Sequence, residues 1–151
     1  MAVKRISNVD WDKDLDKVFG KKFRSIVSQI IVKGMKDGLQ AGKDIKGKKF
    51  KKLKAATVRS KKKKGYRSPS KPLIATGTMK KLPPVKHKRS HSEIDVAKSR
   101  SSIAMYHNEG GSKRNQPPKR QWYGVTEDAK KNIARAVGKK VVGILKKGFR
   151  L

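Results

Sequence analysis

Two stretches of this chain carry large apolar residues at helical spacing, and the segment between them carries very few. Leu15, Val18, Phe19, Phe23, Ile26, Val27, Ile30, Ile31 and Met35 recur at three- and four-residue steps, which puts them on one stripe of a helix. The spacing predicts a helix over 12–41, ~40 Å long. Asp12, Asp14 and Asp16 fall at its start, where the helix dipole favours negative charge, and Gly42 is a natural stop. The second run is Ile133, Val137, Val141, Ile144 and Leu145. Before it stand Thr126, a good N-cap, and Glu127-Asp128, which suit a first turn. Lys146 and Lys147 suit its last turn, with Gly148 as the expected C-cap.

Residues 43–72 show no sustained periodicity, with Phe50 and Leu53 the only large apolar side chains before Val58. Fourteen Lys+Arg and one acid, Asp44, lie in 43–71, a net +13. Such a run repels itself unless an anion or an acidic partner faces it. It reads as a basic, flexible loop with one helical turn. From 73 to 107 the character changes. Leu73-Ile74-Ala75-Thr76-Gly77 is a short apolar piece ending in glycine. Val85, then Ile94 and Val96, then Ile103 and Met105 alternate with polar neighbours. This predicts two or three short antiparallel strands, with turns around 89–92 and 98–101. Residues 108–121 read as a loop. The order is a long N-terminal amphipathic helix, a long basic loop, a small antiparallel sheet, a loop and a C-terminal helix, an α+β domain over 1–151.

The whole chain sets 42 Lys+Arg against 11 Asp+Glu, a formal net charge of +31. At 151 residues and 34% hydrophobic content it supports one small core. The absence of cysteine excludes disulfides, thiol catalysis and Cys-based metal sites. No apolar run reaches the ~18 residues of a membrane span, and residues 1–16 lack the apolar core of a signal peptide. Composition thus points to work near polyanions or acidic protein surfaces, away from membranes.

Candidate chemistry is sparse. Asp10, Asp12, Asp14 and Asp16 have the spacing of a calcium loop, but the sixth and twelfth positions from Asp10 are Leu15 and Lys21, where such a loop needs Gly and Glu. His87, His91 and His107 are the only histidines, and no third ligand type accompanies the first two. His107 beside Glu109 reads as a structural hydrogen-bonder. No nucleophile elbow and no phosphate-binding glycine loop occurs. The chain reads as non-enzymatic, with no cofactor.

The basic tracts carry the functional signal. Lys48, Lys49, Lys51, Lys52 and Lys54, followed by Lys61, Lys62, Lys63 and Lys64, are candidates for contact with DNA or an acidic partner. The plainer reading of a charge run is a solvated face, but an excess of this size exceeds what solubility needs. Nothing indicates sequence-specific readout or a single-strand stacking platform.

Three segments taken in order resemble a family. They are Lys71-Pro72-Leu73-Ile74-Ala75-Thr76-Gly77-Thr78-Met79, Ala104-Met105-Tyr106-His107-Asn108-Glu109-Gly110 and Pro118-Lys119-Arg120-Gln121-Trp122-Tyr123-Gly124. They resemble the bacteriophage virion-morphogenesis or tail-completion family, whose members sit at the head–tail neck. That family shows a Leu-Ile-x-Thr-Gly-x-Leu piece, a Tyr-Ala-x-x-His-x-x-Gly piece and a Pro-x-Arg-x-Phe-Leu-Gly piece before a C-terminal helix. Gly47-Lys48-Lys49-Phe50-Lys51-Lys52-Leu53 is similar to its Gly-x-x-Trp-x-x-Leu stretch. Ile103, Gln121, Trp122 and Tyr123 depart from the family's usual Tyr, Pro, Phe and Leu.

The resemblance implies a structural virion protein assembled in the host cytoplasm. It implies a homo-oligomeric ring of six subunits, a tail terminator or head–tail connector, which joins tail to head. Its partners would be adjoining tail or neck proteins, with nonspecific contact to DNA in the channel. Arg120, Trp122 and Tyr123 stand as anchors to the core or to a neighbouring subunit. The rival reading is a sequence-independent nucleic-acid-binding protein, which accounts for the charge but not for the three ordered segments.

Overall fold

A computed structural model of the chain describes residues 19–82, 84–88, 91–96, 100–110 and 118–149. The described part is α+β, with four α-helices and one two-stranded antiparallel sheet. The helices are α1 (Lys21–Ala41), α2 (Ala55–Lys63), α3 (Ser101–Glu109) and α4 (Glu127–Phe149), and the strands are β1 (Lys86–His87) and β2 (Ser92–Glu93). No described helix is long and apolar enough to cross a membrane.

The N-terminal stripe forms α1, which spans 21 residues, or ~31 Å. It buries Phe23, Ser28, Met35 and Leu39. Of the helix expected over 12–41, residues 12–18 lie outside the described residues; Phe19 is helical, Gly20 is extended, and Gly20 acts as the N-cap of α1. The first turn of α1 therefore holds no acid. Asp10, Asp12, Asp14 and Asp16, with Leu15 and Val18, lie outside the described residues. Gly42 ends the helix as expected. Its φ of 69° is left-handed, its N–H donates to Leu39 O, and Lys43 N–H donates to Gly38 O. These are the two bonds of a Schellman motif, which glycine enters without a Cβ penalty.

Two segments differ from expectation. The basic segment carries a nine-residue helix, α2, where a single helical turn is expected. The α2 helix has no fully buried residue, so it leaves no apolar stripe in the sequence. The strand expected at Ile103 and Met105 is instead the helix α3, whose buried residue is the small Ala104 between them. In the piece 73–77, Ile74 is buried and Gly77 at φ 81° opens a 3-10 turn, Thr78–Lys80. The expected hairpin does form, pairing Lys86 with Glu93 and His87 with Ser92. Residues 89–90 of its turn and 97–99 of the next lie outside the described residues.

Thr126 caps α4, accepting the N–H of Ala129 on its hydroxyl at 3.1 Å, and Glu127 and Asp128 occupy the first turn. At the other end α4 runs to Phe149, so Gly148 lies within the helix and is not its cap. The helices α1 and α4 pack antiparallel. Gly34 meets Thr126 and Ala129, whereas Phe23 and Ile26 share a cleft with Ala136 and Lys139. The hairpin rests on α1. The core joins Leu39, Phe50, Met79, Ala104 and Trp122, flanked by Leu73, Leu82, Val96 and Tyr123.

The α1–α4 contact makes two glycines respond in opposite directions. A Cβ on Gly34 would stand 2.6 Å from the Thr126 hydroxyl and 3.2 Å from Ala129 Cβ. Gly34→Ala should therefore destabilise by about 1–3 kcal/mol in urea unfolding, against its helix propensity. On α4 a Cβ on Gly138 meets nothing within 4 Å. Gly138→Ala should stabilise by about 0.5–1 kcal/mol. Equal and favourable effects at both positions would contradict this packing.

Candidate functional site

The first basic tract is built on backbone hydrogen bonds that leave its lysines free. Asp44 Oδ1 accepts the N–H groups of Lys46 at 2.9 Å and Lys48 at 2.8 Å. Asp44 N–H donates to Lys48 O and Gly47 N–H to Asp44 O, with Gly47 at φ 82°. An isolated bridge pairs Lys43 with Lys49. The turn is clasped to the rest of the molecule at Ile45, whose N–H donates to Gln121 O at 2.8 Å and whose carbonyl accepts Glu127 N–H at 3.0 Å. Phe50 is buried and Leu53 half-buried, while Lys48, Lys49, Lys51, Lys52 and Lys54 are exposed. The ion pairs among the described residues lie on the hairpin and the first turn of α4, and none involves these five lysines.

The second tract divides. Lys62, Lys63 and Lys64 are exposed, but Lys61 turns inward. Its Nζ donates to the carbonyls of Ser68 at 3.4 Å, Lys71 at 2.8 Å and Ile74 at 2.5 Å. All three ammonium donors are used to hold the 65–74 loop against α2. Burial pushes the Lys61 ammonium below its ordinary pKa. It is a structural clamp, unlike its three neighbours in the run.

Arg120, Trp122 and Tyr123 share the irregular segment before α4 and take three different places. Trp122 is 2% exposed, at the centre of the core, and leaves no surface for a neighbouring subunit. Tyr123 meets it edge-to-face, with ring centroids 5.7 Å apart. The Tyr123 hydroxyl donates to Ile94 O and its N–H to Asn108 Oδ1, which ties the segment after the hairpin to α3. Burial, then the Asp95 charge, raises the pKa of that hydroxyl. Arg120 is 4% exposed; its N–H donates to His107 O at 2.6 Å and its guanidinium to Lys51 O at 3.4 Å. The Arg120 side chain thus lies beneath the backbone of the first lysine tract.

Two features escape sequence reasoning. Ile103, Met105 and Tyr106 stand exposed on α3, and Val141, Val142 and Leu145 stand exposed near the end of α4. The first group has a strand-like alternation that hides its helical exposure. A cleft of about 670 Å³ between α1, the Asp44 turn and the start of α4 gathers Asp37, Asp44, Glu127 and Asp128 among lysines. No group of three His, Asp or Glu that fits a metal ion exists among the described residues. No family model matches the chain, and no curated protein or solved structure matches it.

His107 supplies a pH dependence. Its Nδ1 is buried without a partner, and burial followed by the Arg120 charge holds the imidazole below its ordinary 6.5. The unfolded chain therefore binds this proton more readily than the folded one. Stability is full above pH ~6.5 and declines as pH falls below it, before most carboxylates titrate. The thermal midpoint should drop between about pH 7.5 and pH 5, and His107→Gln should flatten that slope. A slope unchanged in the variant would assign the effect to other groups.

Proposed function

We propose that this chain is a non-enzymatic structural subunit of a tailed-phage virion. It forms a ring at the neck or tail end and joins tail to head. The observation that carries the reading is the meeting of the three family-like segments in one core. Met79 comes from the first, Ala104 from the second and Trp122 from the third, and all three belong to one cluster. Three segments spread over residues 71–124 thus behave as parts of one domain, which is how a resemblance spread over most of the chain should behave.

Two surface features suit a ring. Exposed apolar residues occur on two different elements, Ile103, Met105 and Tyr106 on α3 and Val141, Val142 and Leu145 on α4. A head-to-tail contact uses two unlike patches of one chain, one from each neighbour. The unpaired lysines at 48, 49, 51, 52, 54 and 62–64 provide the charge that acidic neighbours or DNA in the channel would meet. Virion location and host-cytoplasmic assembly follow from the same reading.

Those lysines also favour the rival, a free nucleic-acid-binding protein, and one pair of measurements separates the two. Native mass spectrometry of the purified protein without DNA should give a closed oligomer, with six copies expected. Duplex DNA affinity across a salt series should be weak. A strict monomer that binds DNA tightly, with a log–log salt slope of about −0.9 per phosphate contacted, would overturn the ring and support the rival.

A further inference from the structure

A cavity of about 300 Å³ opens between α2, the 73–79 turn and α3, and Arg120 lines it. We propose that this cavity binds a carboxylate carried on a short aliphatic stem. The guanidinium is the reason. Arg120 is 4% exposed, its Nε is buried without a hydrogen-bond partner, and its side chain makes one long bond, to Lys51 O. A guanidinium presents five donors and cannot shed its charge, so burying it calls for an anion in bidentate contact. No acidic residue lines the cavity or pairs with Arg120 among the described residues.

Two further cations adjoin the same space. Arg100 lines it at the start of α3, and Lys61 lines it from α2. The three ammonium donors of Lys61 go to carbonyls, so its charge is solvated but not neutralised. Burial lowers the pKa of both Lys61 and Arg120. His107, also on the lining, stays neutral beside Arg120.

The walls select the kind of anion. Leu53, Leu73 and Ile103 make the cavity largely apolar, and Ile103 remains 43% exposed at α3. A strongly hydrated phosphate gains nothing from such walls, and a duplex backbone meets the exposed lysines first. A carboxylate on an aliphatic stem satisfies the guanidinium and covers the apolar wall together. Leu73 also has φ 60°, the only positive φ at a non-glycine residue in the described chain. The turn holds that sparsely populated conformation beside the Lys61 clamp, which bonds the carbonyls of Lys71 and Ile74 on either side of it. The carboxylate has two sources of the same chemistry: a free short-chain acid, or a glutamate side chain of a neighbouring protein. The inference does not depend on the ring.

The test uses amide and guanidinium NMR spectra of the full chain at constant ionic strength, with sodium hexanoate, inorganic phosphate and the peptide acetyl-Leu-Glu-Leu-amide added separately. Hexanoate or the peptide should shift the Arg120 Nε–H and the amides of Thr76, Gly77 and Ile103, and phosphate should not. Whichever of the two is tighter by about tenfold identifies the source. Arg120→Met should abolish the shifts. Because that change alters a buried residue, Ile103→Glu provides a second variant at an exposed wall position. Its own carboxylate should fill the cavity and weaken hexanoate at least about tenfold in a folded protein. No shift with hexanoate or the peptide at about 10 mM would overturn the proposal, as would equal shifts with phosphate or unaltered binding in Ile103→Glu.

Discussion

The burial of Trp122 is the contact on which the rest of this molecule depends. Trp122 shares one buried cluster with Leu39 from the end of α1, Phe50 from the basic turn, Met79 from the 3-10 turn and Ala104 from α3. Five distant segments are thus fixed to one another by one small cluster. Burying a large apolar side chain contributes about 1.5–3 kcal/mol, so a core of this size is modest. It works against the self-repulsion of a chain with net charge +31. The fold therefore relies on backbone hydrogen bonds and glycine turns to order the segments that carry charge.

The few acids are placed to support that order. Asp44 accepts two backbone N–H groups of the basic turn, Glu127 and Asp128 sit at the N-terminus of α4, and Glu93 pairs with Lys88 across the hairpin and with His91 two residues before it. Lys88 and His91 hold the Glu93 carboxyl below the usual range. None of these acids neutralises the exposed lysines of 48–54. Two cations, by contrast, are taken inside: Lys61 clamps a loop, and Arg120 faces a cavity without an anion. The same residue types thus serve as solvent-facing charge in one place and as internal structure a few residues away.

What the sequence discloses is local chemistry and strong periodicity. The α1 stripe, the stop at Gly42 and the cap at Thr126 are legible because each rests on residues within one or two turns. The α2 helix is not legible, since no apolar stripe marks it. Its place is set by Lys61 reaching carbonyls seven to thirteen residues away. The α3 helix is misread because its large residues point outward and a small alanine points inward, which inverts the alternation rule. Lys61 looks identical to Lys62, Lys63 and Lys64 in the run, and only the folded loop distinguishes it. The burial of Arg120 is likewise a tertiary property, because arginine is ordinarily exposed. The solvent-facing lysines of 48–54, in contrast, are legible from composition alone.

The Trp122 core and the backbone of the Asp44 turn hold this fold, and the exposed lysines of 48–52 are not needed for it. Thermal unfolding of a variant carrying Lys48→Gln, Lys49→Gln, Lys51→Gln and Lys52→Gln, followed by circular dichroism, tests it most directly. The variant should keep a native spectrum and a midpoint equal to or above the parent's, because like-charge repulsion is reduced. A midpoint lowered by more than about 4 °C, or loss of the native spectrum, would show that these lysines hold the fold and would contradict the claim.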